Sequence, residues 1–352
     1  MKNRIIDANL NRLAEGLRVV EDVCRFGLDD SRLAGRLKAL RREAGRLRRE
    51  WPRGLTASRD PVGDVGRVEI KEPDHRDSVA GMLGASFGRV GESLRVIEEI
   101  AKLVRPAAAR RAKAMRYETY DLEREIAPLF DRKERVEGLR GLYIIMTEPA
   151  AGYEKLAEIA VREKVAAVQL RDKHLDDRAL LALARRLRAI TAGSSTLFVV
   201  NDRPDIAALS DADGLHLGQD DLPVAEARRL IGDRMLIGKS THNLRQLRAA
   251  LRESPDYVAI GPVFATRSKP DPSLTLGLEK ARRMLEACPA PAVAIGGIDR
   301  SNLSSLLAIG FGRHAMLSPV CSVAKPRATI RDIRERAGNP RLGAGAGPGE
   351  KH

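Results

Sequence analysis

The chain has 352 residues, 43% of them hydrophobic, 31% charged and 3% aromatic, with three cysteines and a formal net charge of +14. That length and apolar content exclude a disordered polymer for most of the chain and allow two domains, while no run approaches the roughly 18 apolar residues of a membrane span. The charge admits nucleic acid, an acidic membrane surface or small anions as partners, but aromatic side chains are too few, and too seldom interleaved with basic ones, to stack exposed bases.

The start, MKNRIIDANLNRL, lacks the apolar core of a secretion signal, so the expected location is cytoplasmic. Up to about Lys133 the chain reads as helix. Arg12 to Val23 is RLAEGLRVVEDV and Arg89 to Ile100 is RVGESLRVIEEI, an internal repeat. At about 100° per residue, Leu10, Leu13, Leu17, Val20 and Cys24 share one apolar stripe, and Phe87, Val90, Leu94, Ile97 and Ala101 share its counterpart. Glu15, Arg18, Asp22 and Arg25 form the adjacent polar face of the first copy; Glu92, Arg95, Glu99 and Lys102 form that of the second. The pattern predicts two equivalent helices in a small all-α bundle, completed by helices over Ser31 to Arg49 and Ala107 to Pro128. Ion pairs three or four residues apart are a common surface device, so scaffold alone accounts for these faces. The arginine-rich run LKALRREAGRLRRE reads the same way, as solvated helix surface.

Trp51 to Asp77 is irregular, and within it SRDPVGDVG sets glycines beside Arg59, Asp60 and Asp64. Such a loop suits phosphate or magnesium, although turns built of Asp, Gly and Pro are far commoner and the G-x-x-x-x-G-K-[ST] signature is missing.

After about Gly138 the texture changes. GLYIIMT, AAVQLRD, LFVVND, DGLHLG, MLIGKS, DYVAIGP, PAVAIGG and HAMLSPV are eight short apolar runs, with amphipathic segments such as DRALLALARRLRAI and LEKARRMLEA between them. Eight strand–helix units in this length predict an α/β (β/α)8 TIM barrel over 138–335. A doubly wound open sheet is the competitor, and its dinucleotide-binding version would want a G-x-G-x-x-G turn that GLYIIMTEPAAGY does not supply. Cys288 and Cys321 belong to no C-x-x-C or Cys/His cluster and, with Cys24, read as small core residues. The tail 341–352, RLGAGAGPGEKH, is expected to be disordered.

In a barrel, function gathers where strands end. Gln169, Leu170, Arg171, Asp172 and Lys173 close the second strand; Asn201 and Asp202 close the third; Gly218, Gln219, Asp220 and Asp221 follow the fourth. Ser240, Thr241 and His242 end the fifth, and the sixth leads to Thr266, Arg267, Ser268 and Lys269. The seventh ends in the glycines of AIGGI, including Gly297, and the eighth in Leu317 and Ser318. Any one of these could be a turn residue; together they favour a site. Asp202 and Asp221 are hard oxygen ligands suited to Mg2+ that keeps waters and shares itself with phosphates. Arg171, Lys173 and Lys269 add fixed positive charge, and Asn201 and Ser240 add neutral donors, a set that would neutralise a departing pyrophosphate. The hydroxyls of Thr266 to Ser268, Gly297 and the loop after the eighth strand correspond to the usual barrel phosphate site. No serine or cysteine stands beside a paired base, which disfavours covalent catalysis.

QLRDK, VVNDR, DGLHLGQDD, IGKSTH, DYVAIGPVFATRSK and VAIGGI, in this order, resemble the motif set of the thiamine phosphate synthases, also called thiamine-phosphate pyrophosphorylases. The likeness covers Gly138 to about Ala324 and implies condensation of hydroxymethylpyrimidine diphosphate with thiazole phosphate, or its carboxylated form, through a pyrimidine carbocation. By the same resemblance Gln169 to Lys173, Asn201, Ser240 and Lys269 would hold the pyrimidine diphosphate. Asp202 and Asp221 would bind magnesium, and Thr266 to Ser268, Gly297, Leu317 and Ser318 would hold the thiazole phosphate. Ser268 stands where that family usually has threonine, and GFGRHAMLSPV is bulkier than its usual approach to the last strand, which puts the packing around Arg313 and His314 in question. His216 reads as a core or site-wall histidine.

RIIDANLNRLAEGLRVVEDVCRFGL, SRDPVGDVG and ASFGRVGESLRVIEE, over about 1–133, resemble a small domain often fused to such synthases, a monofunctional hydroxymethylpyrimidine phosphate kinase. That likeness implies ATP as co-substrate and makes Glu15, Arg18, Arg59, Asp60, Asp64, Glu92 and Arg95 the candidates there. Three readings stand: a bifunctional kinase and synthase, a synthase with a helical oligomerisation or regulatory module, and, disfavoured by aromatic poverty, a nucleic-acid-binding bundle tethered to a barrel. The expected partners are small phosphorylated molecules and, possible for either enzyme reading, further copies of the chain in a homo-oligomer.

Overall fold

The computed structural model describes residues 1–52, 55–58, 78–266 and 275–338. The chain divides into two compact units, Met1–Asp131 and Arg132–His352. In the first, α1 (Lys2–Gly27), α2 (Ser31–Arg49), a short 3-10 turn (Leu55–Ser58), α3 (Val79–Val104) and the long α4 (Pro106–Gly138) follow in order. The boundary between the units falls inside α4, which runs ten residues past the expected end at Pro128. Pro128 removes a single N–H from the helical ladder, and the helix continues on either side of it.

The repeat becomes a packed pair. Both expected stripes are buried, Leu10 to Cys24 on α1 and Phe87 to Ala101 on α3, and they belong to one core with Leu33, Leu37, Leu40 and Leu47 of α2. Close approach is set by Gly16, where a Cβ would lie 2.8 Å from Val90 Cγ2 and 3.2 Å from the Ser86 carbonyl. Asp30 caps α2 by accepting from Leu33 N, and Ser78 caps α3 by accepting from Gly81 N. Glu21 and Glu98, at matching positions of the repeat, are also buried. Each is paired with an arginine of the following helix, Glu21 with Arg41 and Glu98 with Arg116, the latter at 3.1 Å. The helical wheel placed neither carboxylate inside; both lie at the edge of the apolar stripe, where tertiary pairing rather than periodicity decides burial.

In the second unit β1 (Gly141–Met146), α5 (Tyr153–Arg162), β2 (Ala167–Leu170), α6 (Asp177–Thr191), β3 (Leu197–Asn201), α7 (Pro204–Leu209), β4 (Gly214–Leu217) and α8 (Val224–Ile231) form the first half. The second half is β5 (Leu236–Thr241), α9 (Leu244–Arg252), β6 (Tyr257–Ile260), α10 (Gly277–Glu286), β7 (Ala292–Ile295), α11 (Leu303–Ala308), β8 (Arg313–Met316), α12 (Ser318–Cys321) and α13 (Pro326–Gly338). The eight strands are parallel and close in sequence order, β8 pairing with β1 through Leu142 and His314, among others. This is the expected TIM barrel, not the open sheet.

Strand alternation sorts the side chains. Tyr143, Ile145, Ala167, Val199, Leu236, Tyr257, Val293 and Ala315 face inward with Val136 and Leu139, whereas Ile144, Val168, Leu170, Val200, Ile237 and Met316 face the helices. His314 therefore lies on the outer face of β8. The bulk of GFGRHAMLSPV is accommodated there, and both His314 ring nitrogens are buried without a partner among the described residues.

Candidate functional site

All eight strands point their carboxyl ends to one face, so residues distant in sequence converge there. On β2 and its exit, Gln169 faces inward, and Arg171 N donates to the Met146 carbonyl at 3.0 Å while its own carbonyl accepts from Thr147 Oγ1 at 2.9 Å. Asp172 engages its carboxylate within the turn itself. Its Oδ1 accepts from the N–H groups of His174 and Leu175, and its Oδ2 accepts from Tyr153 OH at 2.6 Å. The carboxylate is consumed in building the turn that carries Arg171 and Lys173. Leu170 buries its side chain against the outer helices, which leaves its backbone for the expected role.

Asp202, just past β3, has φ +62°, a left-handed conformation that a non-glycine residue adopts only where its surroundings enforce it. Its N–H donates to the His216 carbonyl at 2.8 Å, which anchors it to β4. Burial, then the neighbouring Asp221 carboxyl, push the Asp202 carboxyl up to about 6, against the opposing charges of Lys173 and Arg171. Two crowded carboxylates beside two cations form a hard-oxygen donor pair that a divalent ion would relieve. Among the described residues no group of three or more His, Cys, Asp or Glu side chains could hold a metal, so the remaining ligands would have to be waters and substrate oxygens.

The floor of the barrel mouth is a hydrogen-bonded row that sequence reading missed. Gln169 Nε2 donates to Tyr143 OH at 2.8 Å, Tyr143 OH meets Tyr257 OH at 3.2 Å, His216 Nδ1 meets Tyr257 OH at 3.1 Å, and His216 Nε2 meets Ser240 Oγ at 2.9 Å. His216 also stacks on the Tyr257 ring. It is thus a site-wall histidine, as expected. Tyr143 and Tyr257 went unremarked in the strand runs; the available signal was the neighbouring glycine of IGKS. A Cβ on Gly238 would lie 2.2 Å from Tyr257 Cζ, so only glycine leaves room for the ring.

Across the mouth, the exits of β6 and β7 pack backbone against backbone. Val263 N donates to the Ile295 carbonyl at 2.9 Å and Phe264 N to the Gly296 carbonyl at 3.0 Å. Gly297, at φ +65°, would carry a Cβ 2.3 Å from the Ala265 carbonyl, and its own carbonyl accepts from Asn302 Nδ2. Thr266 lies in the loop after β6, Leu317 directly follows β8, and Ser318 opens α12. Arg267, Ser268 and Lys269 lie outside the described residues.

In the helical unit, Glu15 and Glu92 are exposed, Arg18 pairs with Asp22 at 2.8 Å, and Arg95 pairs with Glu99 at 2.9 Å. Among the described residues no ion pair joins the two polar faces. Arg59, Asp60 and Asp64 lie outside the described residues.

The family model described as thiamine monophosphate synthase matches residues 142–320, just over half of the chain. A thiamine-phosphate synthase of Thermosynechococcus vestitus is 40% identical over 337 residues, covering 95% of this chain and 94% of that protein. One of Gloeobacter violaceus is 42% identical over 335 residues, covering 95% and 96%. The chain belongs to the thiamine-phosphate synthase family. Membership makes it an enzyme of thiamine biosynthesis, a transferase, as the motif order implied. A solved thiamine phosphate pyrophosphorylase from Pyrococcus furiosus superimposes with a TM-score of 0.54 at 30% identity, covering 58% of this chain and 98% of that one. That coverage is what a family barrel with an added unit requires. The added unit matches the ThiD2 family over residues 4–125. Among the described residues, no helix is long and apolar enough to cross a membrane.

Proposed function

We propose that the barrel, as a domain over 138–335, joins hydroxymethylpyrimidine diphosphate to a thiazole phosphate, releasing pyrophosphate and forming thiamine phosphate. The observation that carries this reading is the pair of carboxylates, Asp202 and Asp221, set beside Arg171 and Lys173 at the rim of a barrel with a hydrogen-bonded polar floor. Arg171, Lys173 and Asn201 take the diphosphate, with Lys269, and the guanidinium and ammonium charges stabilise it most as it departs. Asp202 and Asp221 hold magnesium, which supplies charge neutralisation of the leaving pyrophosphate when bound. Gln169, His216 and Ser240 present donors and acceptors to the edge of a flat heteroaromatic ring, and Tyr143 and Tyr257 hold them in register.

Departure of pyrophosphate leaves a pyrimidine methylene cation, a dissociative step that fits a site with fixed positive charge. The thiazole nitrogen then attacks that carbon, forming the C–N bond of thiamine phosphate. Thr266 to Ser268, Gly297, Leu317 and Ser318 anchor the thiazole phosphate on the opposite side. Replacing Asp202 by alanine in the full chain should abolish thiamine phosphate formation at any magnesium concentration; activity within tenfold of the parent would remove the metal assignment.

The helical unit, over 1–133, phosphorylates hydroxymethylpyrimidine phosphate with ATP and so makes the diphosphate that the barrel consumes. Its match to the ThiD2 family supports this reading. The D202A chain, in which diphosphate would accumulate, should convert hydroxymethylpyrimidine phosphate to the diphosphate with ATP and magnesium. No diphosphate would instead favour a scaffold role, for which the interhelical pairs Arg36–Glu118 and Arg116–Glu98 are sufficient.

A further inference from the structure

The loop from Gly218 to Pro223, between β4 and α8, carries Asp221 and is tied down at both ends, at the far end by groups that the proposed chemistry does not use. At its start Gly218 N donates to Asp221 Oδ2 at 2.6 Å, and Gln219 Nε2 donates to the Ser240 carbonyl on β5 at 2.5 Å. At its far end Val224 N, in the first turn of α8, donates to Glu253 Oε2 at 2.9 Å. The same Oε2 lies 3.9 Å from Lys239 Nζ. Lys239 precedes Ser240 on β5, and the circuit therefore begins and ends on one strand.

Lys239 is an unexpected residue at its position. It is 3% exposed, on the face of β5 that packs toward the helices, in register with Leu217 of β4 and Val258 of β6. Lysine is almost never buried to this degree unless its charge is compensated, and an apolar side chain would fill the slot at lower desolvation cost. Its ion-pair partner among the described residues is Glu253. Glu253 in turn places negative charge at the amino end of α8, where the helix dipole and a bare N–H both favour it.

We infer that Lys239 and Glu253 are positioning residues that clamp the amino end of α8 and thereby hold Asp221 beside Asp202 for divalent-cation binding. The inference rests on the reading of Asp221 as a metal ligand. Neither residue touches the metal. Lys239 fixes the Glu253 carboxylate, Glu253 fixes Val224 N, and the short loop between Gly218 and Val224 is left with little freedom to swing its carboxylate away. Outer-shell partners of this kind are worth roughly 10–100-fold in metal affinity.

The test uses the full chain and Mn2+ as probe, with inorganic pyrophosphate present, reading bound metal by electron paramagnetic resonance. E253A and K239M should each weaken Mn2+ binding about tenfold, with faster amide exchange at Val224. E253Q, which keeps an acceptor for Val224 N, should fall between E253A and the parent. A merely structural role would lower the melting temperature and leave the metal affinity of the folded protein unchanged. A folded E253A chain that binds Mn2+ as tightly as the parent overturns the inference; if E253A does not fold, K239M decides by the same criterion. D221N separates the two levels. Unchanged Mn2+ binding in D221N defeats the metal-ligand reading, and the clamp with it, whereas loss in D221N with none in E253A or K239M defeats the clamp alone.

Discussion

Gly238 sets the position of the whole polar floor, and replacing it by alanine puts a number on that claim. The added methyl would stand 2.2 Å from Tyr257 Cζ and 2.5 Å from Cε2 and OH, where ordinary carbon contacts begin near 3.4 Å. The ring would have to retreat by more than 1 Å within a packed barrel, and such overpacking costs about 1–3 kcal/mol. That retreat would also break the Tyr257 contacts with Tyr143 and His216, each worth about 1 kcal/mol. The sum, roughly 3–5 kcal/mol, corresponds to a fall of about 6–20 °C in the melting temperature of a domain this size. Gly214→Ala is the internal control, because its Cβ would approach Leu236 at 3.2 Å and needs a shift of only tenths of an ångström. Calorimetry of the two variants, with KM for the pyrimidine diphosphate, checks the reasoning. A G238A chain that melts within 1 °C of the parent and keeps its KM would refute the floor as described.

His314 leads to a pH prediction. Burial pushes its imidazole down to about 4 from an ordinary value of 6.5, so between those limits the unfolded chain binds a proton that the folded chain refuses. The stability present above pH 6.5 is lost as pH falls toward 4, by about 3 kcal/mol. His314→Leu should flatten that part of the urea-midpoint profile, and an unchanged slope would exclude His314 as its source. In the helical unit, Glu98→Ala should destabilise by about 3 kcal/mol because it strands the mostly buried Arg116. Glu99→Ala, at an exposed pair, should leave stability nearly unchanged. Equal effects in chemical denaturation would contradict the burial assigned to Glu98. The thiol of Cys24, pushed up to about 12 chiefly by burial, should resist alkylation at pH 8 in the folded chain and react on unfolding.

The repeat was legible because helical periodicity is local: Leu10 to Cys24 and Phe87 to Ala101 are spaced for one face whatever they pack against. The strand ends were legible for a related reason, since a parallel barrel sends every strand's carboxyl end to one rim, so residues ending apolar runs are neighbours by topology. The turn contacts of Asp172 were not legible, because a carboxylate in a turn and a carboxylate in a site look alike until its donors are counted. Alternation along β2 turns the Leu170 side chain outward, so what it can offer the site is its backbone.

By itself the sequence determined the eight strand–helix units, the paired stripes of the helical repeat and the roster of charged groups at the barrel mouth. Only the tertiary structure decided which polar groups share a contact. The row from Gln169 through Tyr143, Tyr257 and His216 to Ser240 joins β1, β2, β4, β5 and β6. Glu21 and Glu98 were drawn inside by arginines on other helices. Periodicity is a property of one segment and can be read along it. Hydrogen bonding and desolvation depend on distances between segments, and those exist only once the chain has closed on itself.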